Sequence, residues 1–401
     1  MTDEKVSVLM CVFNTGDFLC QSIDSVLGQT HQNIELIMID DASTDDSWQI
    51  ICNYSEHTPR IKTVRNPINQ GMSAALNKGL ELSCGDYITR QDSDDLMLPE
   101  RLAEQIAYLR SNPDYGAVGS NVRYIDQQDR DLGVSSYPVT NNLIQKILPD
   151  MMCFCGPTIL IRGEYFRRAG FYYAPHNAAE DYELCLRLAE VGKMANIEQP
   201  LYLYRQRPDS FSNLHRHYQM YSKVRSLEQA THRRFGLHPP SEFIDLIARD
   251  YLRAAILGWF SNETASSKKC LELALRYRRD LLNSPSLQPP LGEIIQRYLP
   301  EQPIEDSIGV VERLFQGLLP KETHLERLKV RLLAQFYIEE AFARAQVSPT
   351  RTFDLDLILK GIRYNPAWLR NRGILSILLK QPLLNAGAAV KRRGKQAFNR
   401  Q

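Results

Sequence analysis

The sequence predicts an α/β fold: a mostly parallel open sheet flanked by helices, followed by an all-α C-terminal region. Three observations carry that expectation. From Val6 to Arg110, apolar β-prone runs alternate with stretches of helical periodicity, the pattern of a sheet covered on both faces. Each run stops at a small, polar or acidic cluster, as strands of open α/β sheets do at the crevice where ligands bind. Beyond about Ser210 the strand pattern ceases, and helical segments are separated by breaks such as "HPPSE", "NSPSLQPP" and "YLPEQP".

Taken in order, "VSVLMCV" (6–12) reads as the first strand and "FNTGD" as a turn. Phe18, Leu19, Ile23, Val26 and Leu27 then recur at helical spacing up to the breaker "GQTHQN". "IELIMID" (34–40) is the second strand, and the Ser/Thr/Asp cluster behind it offers N-caps for a helix from about Asp45 to Ser55. "RIKTVRN" is a short third strand. "NQG" turns the chain into a helix with Met72, Ala75, Leu76, Gly79 and Leu80 on one face. "YITR", from Tyr87, is the fourth strand, and Pro99 sits in the first turn of a helix reaching about Arg110. Strands near 117–125, 155–162 and 199–205 and a helix near 180–191 complete the mixed part. The expected division is 1–212 and 213–401.

Composition narrows the class. Lys+Arg 48 against Asp+Glu 47 leaves +1, which gives no bulk charge for a nucleic-acid partner. The eight cysteines are scattered without metal-ligand spacing, and several lie in apolar runs. That is the usage of reduced core thiols. "MTDEKVSVLM" lacks the basic start and apolar stretch of a signal peptide, and no apolar run approaches the ~20 residues of a membrane span. The expectation is a cytoplasmic protein. From Gly361 to Gln401 there are 9 basic residues and no acidic ones. The stretch "RNRGILSILLKQPLLNAGAAVKRRGKQ" reads either as a helix packed on the protein or as a peripheral contact with an anionic membrane surface.

The stretch "TRQDSDDLMLP" (89–99) sets Asp92, Asp94 and Asp95 at the exit of the fourth strand. Like charges so close repel unless a cation or water separates them. Alternating carboxylates suit Mn²⁺ or Mg²⁺ bridging the phosphates of a nucleotide; the plainer reading is N-caps and solvated turn residues. Asp40 and Asp41 end the neighbouring strand, and a second acidic cluster in one crevice calls for a counter-charge. Glu180 and Asp181 open a helix, either as an acidic first turn matched to the helix dipole or as a proton acceptor.

"VSVLMCVFNTGDFLCQSIDSVLGQTHQNIELIMIDDASTDDS", "NPINQGMSAALNKGLELSCGDYITRQDSDDLMLPERL" and "AEDYELCLRLAEVG" resemble, in order and spacing, the successive blocks of family 2 glycosyltransferases with the GT-A fold. The resemblance covers roughly residues 5–205. It implies inverting transfer of a sugar from a nucleotide diphosphate sugar, a UDP-sugar being favoured, to a hydroxyl of a glycan or lipid-linked glycan in surface polysaccharide synthesis. On these residues it would set Val12, Phe13 and Asn14 near the base, Asp41 on the base edge, and Asn69 and Gly71 near the ribose and diphosphate. Asp92 and Asp94, with Ser93 between them, would be the DxD motif, one facing the ribose and one the metal, in either order. Asp95 would cap or support the turn or stand in as the ligand. Asp181 matches the catalytic base and Glu180 its companion. Gly156, Pro157 and Thr158 match the acceptor side, though a buried strand accounts for them equally. Apart from the resemblance, Arg205 and Arg207 read as a diphosphate contact or a cover over the site, and His215 and His217 as lower-ranking metal or phosphate contacts. Two alternatives stand beside it: a non-catalytic nucleotide-sugar-binding or scaffold protein, and a sugar nucleotidyltransferase. The latter would want a basic Gly-rich loop where "FNTGDFL" has neither Lys nor Arg.

Overall fold

The computed structural model describes residues 4–170, 178–208, 210–282, 304–319, 323–347 and 353–378. The chain divides into two compact units, one up to Asp250 and one from Tyr251 onward.

The first unit is built on a sheet in the order β3-β2-β1-β4-β8-β6-β9-β5, with β7 paired to β6. Its strands are β1 (Val6–Val12), β2 (Ile34–Asp40), β3 (Ile61–Arg65), β4 (Tyr87–Arg90), β5 (Leu96–Met97), β6 (Tyr115–Ile125), β7 (Asp131–Val134), β8 (Leu160–Arg162) and β9 (Lys193–Arg205). The long ladders, β1 with β2 and β4, β2 with β3, and β6 with β9, are parallel. The short pairings of β4 with β8, β5 with β9, and β6 with β7 and β8 are antiparallel. The helices are α1 (Gly16–Leu27), α2 (Ser47–His57), α3 (Met72–Glu81), α4 (Arg101–Ser111), α5 (Asn141–Ile147), α6 (Gly163–Ala169), α7 (Glu180–Val191), α8 (Phe211–Leu214) and α9 (Arg216–Phe235). The division between units falls within α10 (Ser241–Phe260).

Every residue of β2 is buried, and β1 is buried but for a half-buried Cys11. Their unbroken apolar runs are therefore the signature of strands covered on both faces. Leu19, Ile23 and Val26 of α1 close over Val8, Met10 and Leu36 on one side. Register aligns the strand exits: Val12 pairs with Asp40, Asp40 with Arg65, and Leu9 with Arg90. Asn14, Asp41, Asn66 and Asp92 thus leave one edge of the sheet.

Four features differ from the sequence pattern. The run 155–162 breaks into a 3₁₀ turn, Gly156–Thr158, before β8, because Pro157 supplies no N–H for a ladder. Strand β9 starts at Lys193 rather than 199. Strands β5 and β7 and helices α5 and α6 were not anticipated; β5 has two residues and β7 is exposed throughout, so neither shows periodicity. Asp46, just before α2, makes no side-chain cap; Asp45 does the work, accepting from the Ser47 N–H at 3.0 Å and the Gly16 N–H at 2.9 Å. Arg101, the first residue of α4, is fully buried. Its guanidinium donates to Thr89 Oγ1 (2.7 Å), the Pro157 carbonyl (2.5 Å) and Gln105 Oε1 (3.2 Å), and lies 5.1 Å from the Tyr202 ring. Burial lowers its pKa to about 10.

The second unit contains α11 (Thr264–Tyr277), α12 (Ile304–Gly317), α13 (Thr323–Val347) and α14 (Leu355–Tyr364). Ile338 and Ala341 of α13 pack with Leu357 and Ile358 of α14 and with Ile374. Among the described residues no helix is long and apolar enough to cross a membrane. The basic tail beyond residue 378 lies outside the described residues.

Candidate active site

Asp41 follows β2 and is 1% exposed. Its Oδ1 accepts from Asn66 Nδ2 (2.7 Å) and the Gln70 N–H (2.9 Å), and its Oδ2 from the Gly71 N–H (2.8 Å). Asn69 Oδ1 also accepts from the Gly71 N–H. Gly71 has φ +83°, a conformation open to glycine and strained for other residues. In this arrangement Asp41 ties down the 66–71 loop, while Asn69 and Gln70 face solvent. Asn14, at φ +52°, accepts from the Thr44 N–H through Oδ1 (2.8 Å) and donates its own N–H to Ser43 Oγ (3.1 Å). Beside it Val12 is buried and the Phe13 ring is 46% exposed. The loops after β1, β2 and β3 are thereby laced to one another.

The acidic cluster after β4 has three different environments. The Asp92 carboxylate is gripped by Arg90, Nε to Oδ1 at 2.9 Å and Nη2 to Oδ2 at 3.3 Å. Ser93 is buried and its Oγ accepts from Thr15 Oγ1 (2.9 Å). Asp94 Oδ2 pairs with Arg207 Nε at 3.2 Å, and its carbonyl accepts from Arg205 Nε (2.8 Å). Burial first, and the Asp92 charge second, raise the Asp94 pKa against the pull of Arg207. Asp95 is buried and accepts from the Arg205 N–H (2.7 Å), so it supports the β9 end. Both arginines lie over the Phe18 ring, at 4.6 and 5.6 Å.

Arg90 also reaches the opposite wall. Its Nη1 donates to Glu180 Oε1 at 2.8 Å. One guanidinium, 7% exposed, therefore joins the strand-end aspartate to the first residue of α7. Burial, and then the neighbouring Asp181 charge, push Glu180 up to about 7, with Arg90 opposing them. The Cys11 thiol, turned inward from a half-buried residue, is raised by desolvation and then by Asp41, with Asp92 and Glu180 adding to the effect and Arg90 working against it. These groups surround one point of the sheet edge. Asp181 is half-buried beside Glu180, and its Oδ1 accepts from the Tyr182 N–H at 2.7 Å.

Among the described residues no group of three His, Cys, Asp or Glu side chains could hold a metal ion. His215 rests against Phe211, ring centroids 4.5 Å apart, and His217 is buried in α9. A metal cage built from protein alone is thus absent there. The donors do fit the other mode, in which Mg²⁺ or Mn²⁺ keeps waters and substrate phosphates and takes one or two carboxylates. Asp94 would be the carboxylate suited to it, because burial first and the Asp92 charge second disfavour its ionised form, which a bound cation would favour. A cavity of about 360 Å³ lies elsewhere in the unit, between α5, α7, α9 and α10, lined by Leu148, Leu186, Leu227 and Phe243 among others.

Sequence reasoning named residues at the strand ends and passed over Arg90, whose guanidinium links Asp92 to Glu180. Its one local signal was an arginine ending a buried strand.

Against known proteins, the family described as Glycosyl transferase family 2 matches residues 7–170. The putative glycosyltransferase EpsE of Bacillus subtilis is 33% identical over 273 residues, 66% of this chain and 96% of that protein. The chain belongs to glycosyl transferase family 2, and it is a glycosyltransferase. A second relative, the Escherichia coli protein named UDP-Glc:alpha-D-GlcNAc-diphosphoundecaprenol beta-1,3-glucosyltransferase WfaP, is 29% identical over 47% of this chain and 72% of its own length. Among solved structures, S. aureus TarS 1-349 in complex with UDP is 18% identical with a TM-score of 0.48, covering 85% of this chain and 92% of that one. The mannosyltransferase PcManGT of Pyrobaculum calidifontis, in complex with GDP-Man and Mn²⁺, is 17% identical with a TM-score of 0.44, covering 80% and 88%.

Proposed function

We propose that the protein transfers a sugar with inversion from a nucleotide diphosphate sugar, preferentially a UDP-sugar, to a hydroxyl of a glycan or lipid-linked glycan in surface polysaccharide synthesis. The observation that carries this reading is the shared guanidinium: Arg90 holds Asp92, on the donor side, and Glu180, beside Asp181, within one contact shell. Donor and acceptor chemistry need that closeness, since the reacting atoms must meet at one carbon.

In this reading the loops after β1, β2 and β3 form the nucleotide's seat. Val12 and Phe13 flank the base, Asn14 and Asp41 fix the loops around it, and the 69–71 turn offers its polar edge to the ribose and diphosphate. Ser93, held by Thr15, keeps Asp92 and Asp94 at their spacing. Asp94, with Asp92 beside it, would hold Mn²⁺ or Mg²⁺, which when bound offsets charge on the departing diphosphate. Arg207, now on Asp94, carries positive charge on that same side.

Asp181 accepts the acceptor hydroxyl's proton as that oxygen bonds to the anomeric carbon and the bond to the diphosphate breaks on the opposite face. Glu180 and Arg90 set the charge around it: Arg90 neutralises one carboxylate, leaving Asp181 as the acceptor. The name of the relative WfaP, which states a UDP-sugar donor and an undecaprenol-linked acceptor, supports the choice of donor and acceptor class. The test is a donor screen that follows nucleoside diphosphate release with and without divalent metal, coupled to the anomeric configuration of the product. Release from one UDP-sugar with an inverted product is expected; retention of configuration, or no release from any donor, ends the proposal.

A further inference from the structure

We infer that Gly156 is a positioning residue for Asp181: its missing side chain is the space that the carboxylate occupies. The inference rests on the assignment of Asp181 as base.

The 3₁₀ turn Gly156–Thr158 is short and fixed. The Thr158 N–H donates to the Cys155 carbonyl (2.9 Å), Thr158 is buried, and the Pro157 carbonyl receives the Arg101 guanidinium. That turn runs directly against the start of α7. A Cβ at position 156 would stand 2.7 Å from Asp181 Oδ2, 3.0 Å from Asp181 Cβ and 3.3 Å from Arg90 Nη2. The first distance is well inside van der Waals contact, so the Asp181 side chain packs directly against the glycine, in the space a methyl group would take. Its other oxygen is held by the Tyr182 N–H. A wall on Oδ2 and a donor on Oδ1 together fix the plane of the carboxylate, and a base must be held in that way to meet a hydroxyl proton.

Glycine at 156 is not required by the backbone. Its φ lies outside the left-handed region, unlike those of Gly71 and Gly170. Alanine fits the turn's conformation, and the cost of a methyl group falls on Asp181 and Arg90. Gly156→Ala is therefore a steric probe of one carboxylate.

The experiment compares wild type, Gly156→Ala, Asp181→Asn and the double variant in donor kinetics, UDP binding and thermal melting. Gly156→Ala is expected to lower kcat about 10²-fold, the scale of an ångström's misplacement, with donor KM and UDP affinity unchanged. In the Asp181→Asn background the added methyl should cause no comparable further loss, because the two residues act as one unit. Full kcat in Gly156→Ala with an inactive Asp181→Asn overturns this inference alone. So does an equal loss from the methyl in both backgrounds, or a raised donor KM. Full activity in Asp181→Asn removes the base assignment and this inference with it. Where the alanine chain is unstable, Gly156→Ala on Asp181→Gly is expected to melt with Asp181→Gly alone; a lower melting temperature again overturns it.

Discussion

Two buried glutamates at opposite ends of the same strands show how one residue type is put to different uses. Glu35 sits near the start of β2, where the strands begin. Burial is the largest single influence on it and acts upward, yet the Ser7 hydroxyl (2.6 Å), Lys62 (2.9 Å) and the Cys84 N–H (2.8 Å) outweigh it and hold its pKa at about 2. Lys5 adds a second ammonium at 3.1 Å. Glu180, at the end where the strands stop, has one guanidinium shared with Asp92 and an aspartate beside it, and it rises to about 7. A carboxylate with every lone pair answered is a staple; one left short of counter-charge is poised to respond to protons and ligands.

The strongest attempt to break that contrast is at the poised end. Asp181→Asn is expected to lower transfer by ~10²–10⁴-fold, the usual worth of a general base, while UDP binding by calorimetry stays at the wild-type value. Next is Arg90→Met, which strips the buried Glu180 and the half-buried Asp92 of their shared partner. Breaking such a pairing costs ~3–5 kcal/mol, so the denaturation midpoint should fall far more than with any change around Glu35. An unaltered midpoint would mean that Asp92 and Glu180 find relief elsewhere.

A smaller effect concerns nucleotide binding. Asp94→Ala should bring UDP affinity measured with Mn²⁺ down to that measured in chelator; an undiminished metal effect would move the ligand role to another carboxylate.

The pH dependence of stability sharpens the contrast with opposite signs. Between about 2 and the ordinary 4.5 of a glutamate, the unfolded chain binds the Glu35 proton more tightly than the folded one. Its contribution is therefore present above 4.5 and lost as pH falls towards 2. Glu180 binds its proton more tightly when folded, so between 4.5 and about 7 stability falls as pH rises. Melting curves of Glu35→Gln should flatten the acid limb, and those of Glu180→Gln the limb approaching neutrality. The same slope in either variant as in wild type would clear that residue of its limb. The smallest change expected is Lys62→Met, under ~1 kcal/mol, since that lysine is 44% exposed and Lys5 remains on Glu35.

How much of this could be read beforehand follows from the range of each interaction. Strands β1 and β2 announce themselves because burial on both faces leaves an unbroken apolar run. Gly71 and the turn that carries Asp92 and Asp94 are local too, set by backbone conformation over a few residues. Arg90 is different: its partners lie two and ninety residues away, and only pairing of β4 with its neighbours brings α7 to it. Arg101 is a case of the same kind, since the groups it meets include Tyr202 and Pro157, both distant in sequence.

The amino-acid order by itself determined the alternation of strands and helices and the acidic residues waiting at the strand exits, because periodicity and turn chemistry act over a few residues. The tertiary structure alone decided which carboxylates share a cation, which are fully answered by N–H donors, and that the turn at Gly156 backs Asp181. Charge compensation and steric contact depend on distances of a few ångströms between segments far apart in the chain, and only the folded sheet sets them.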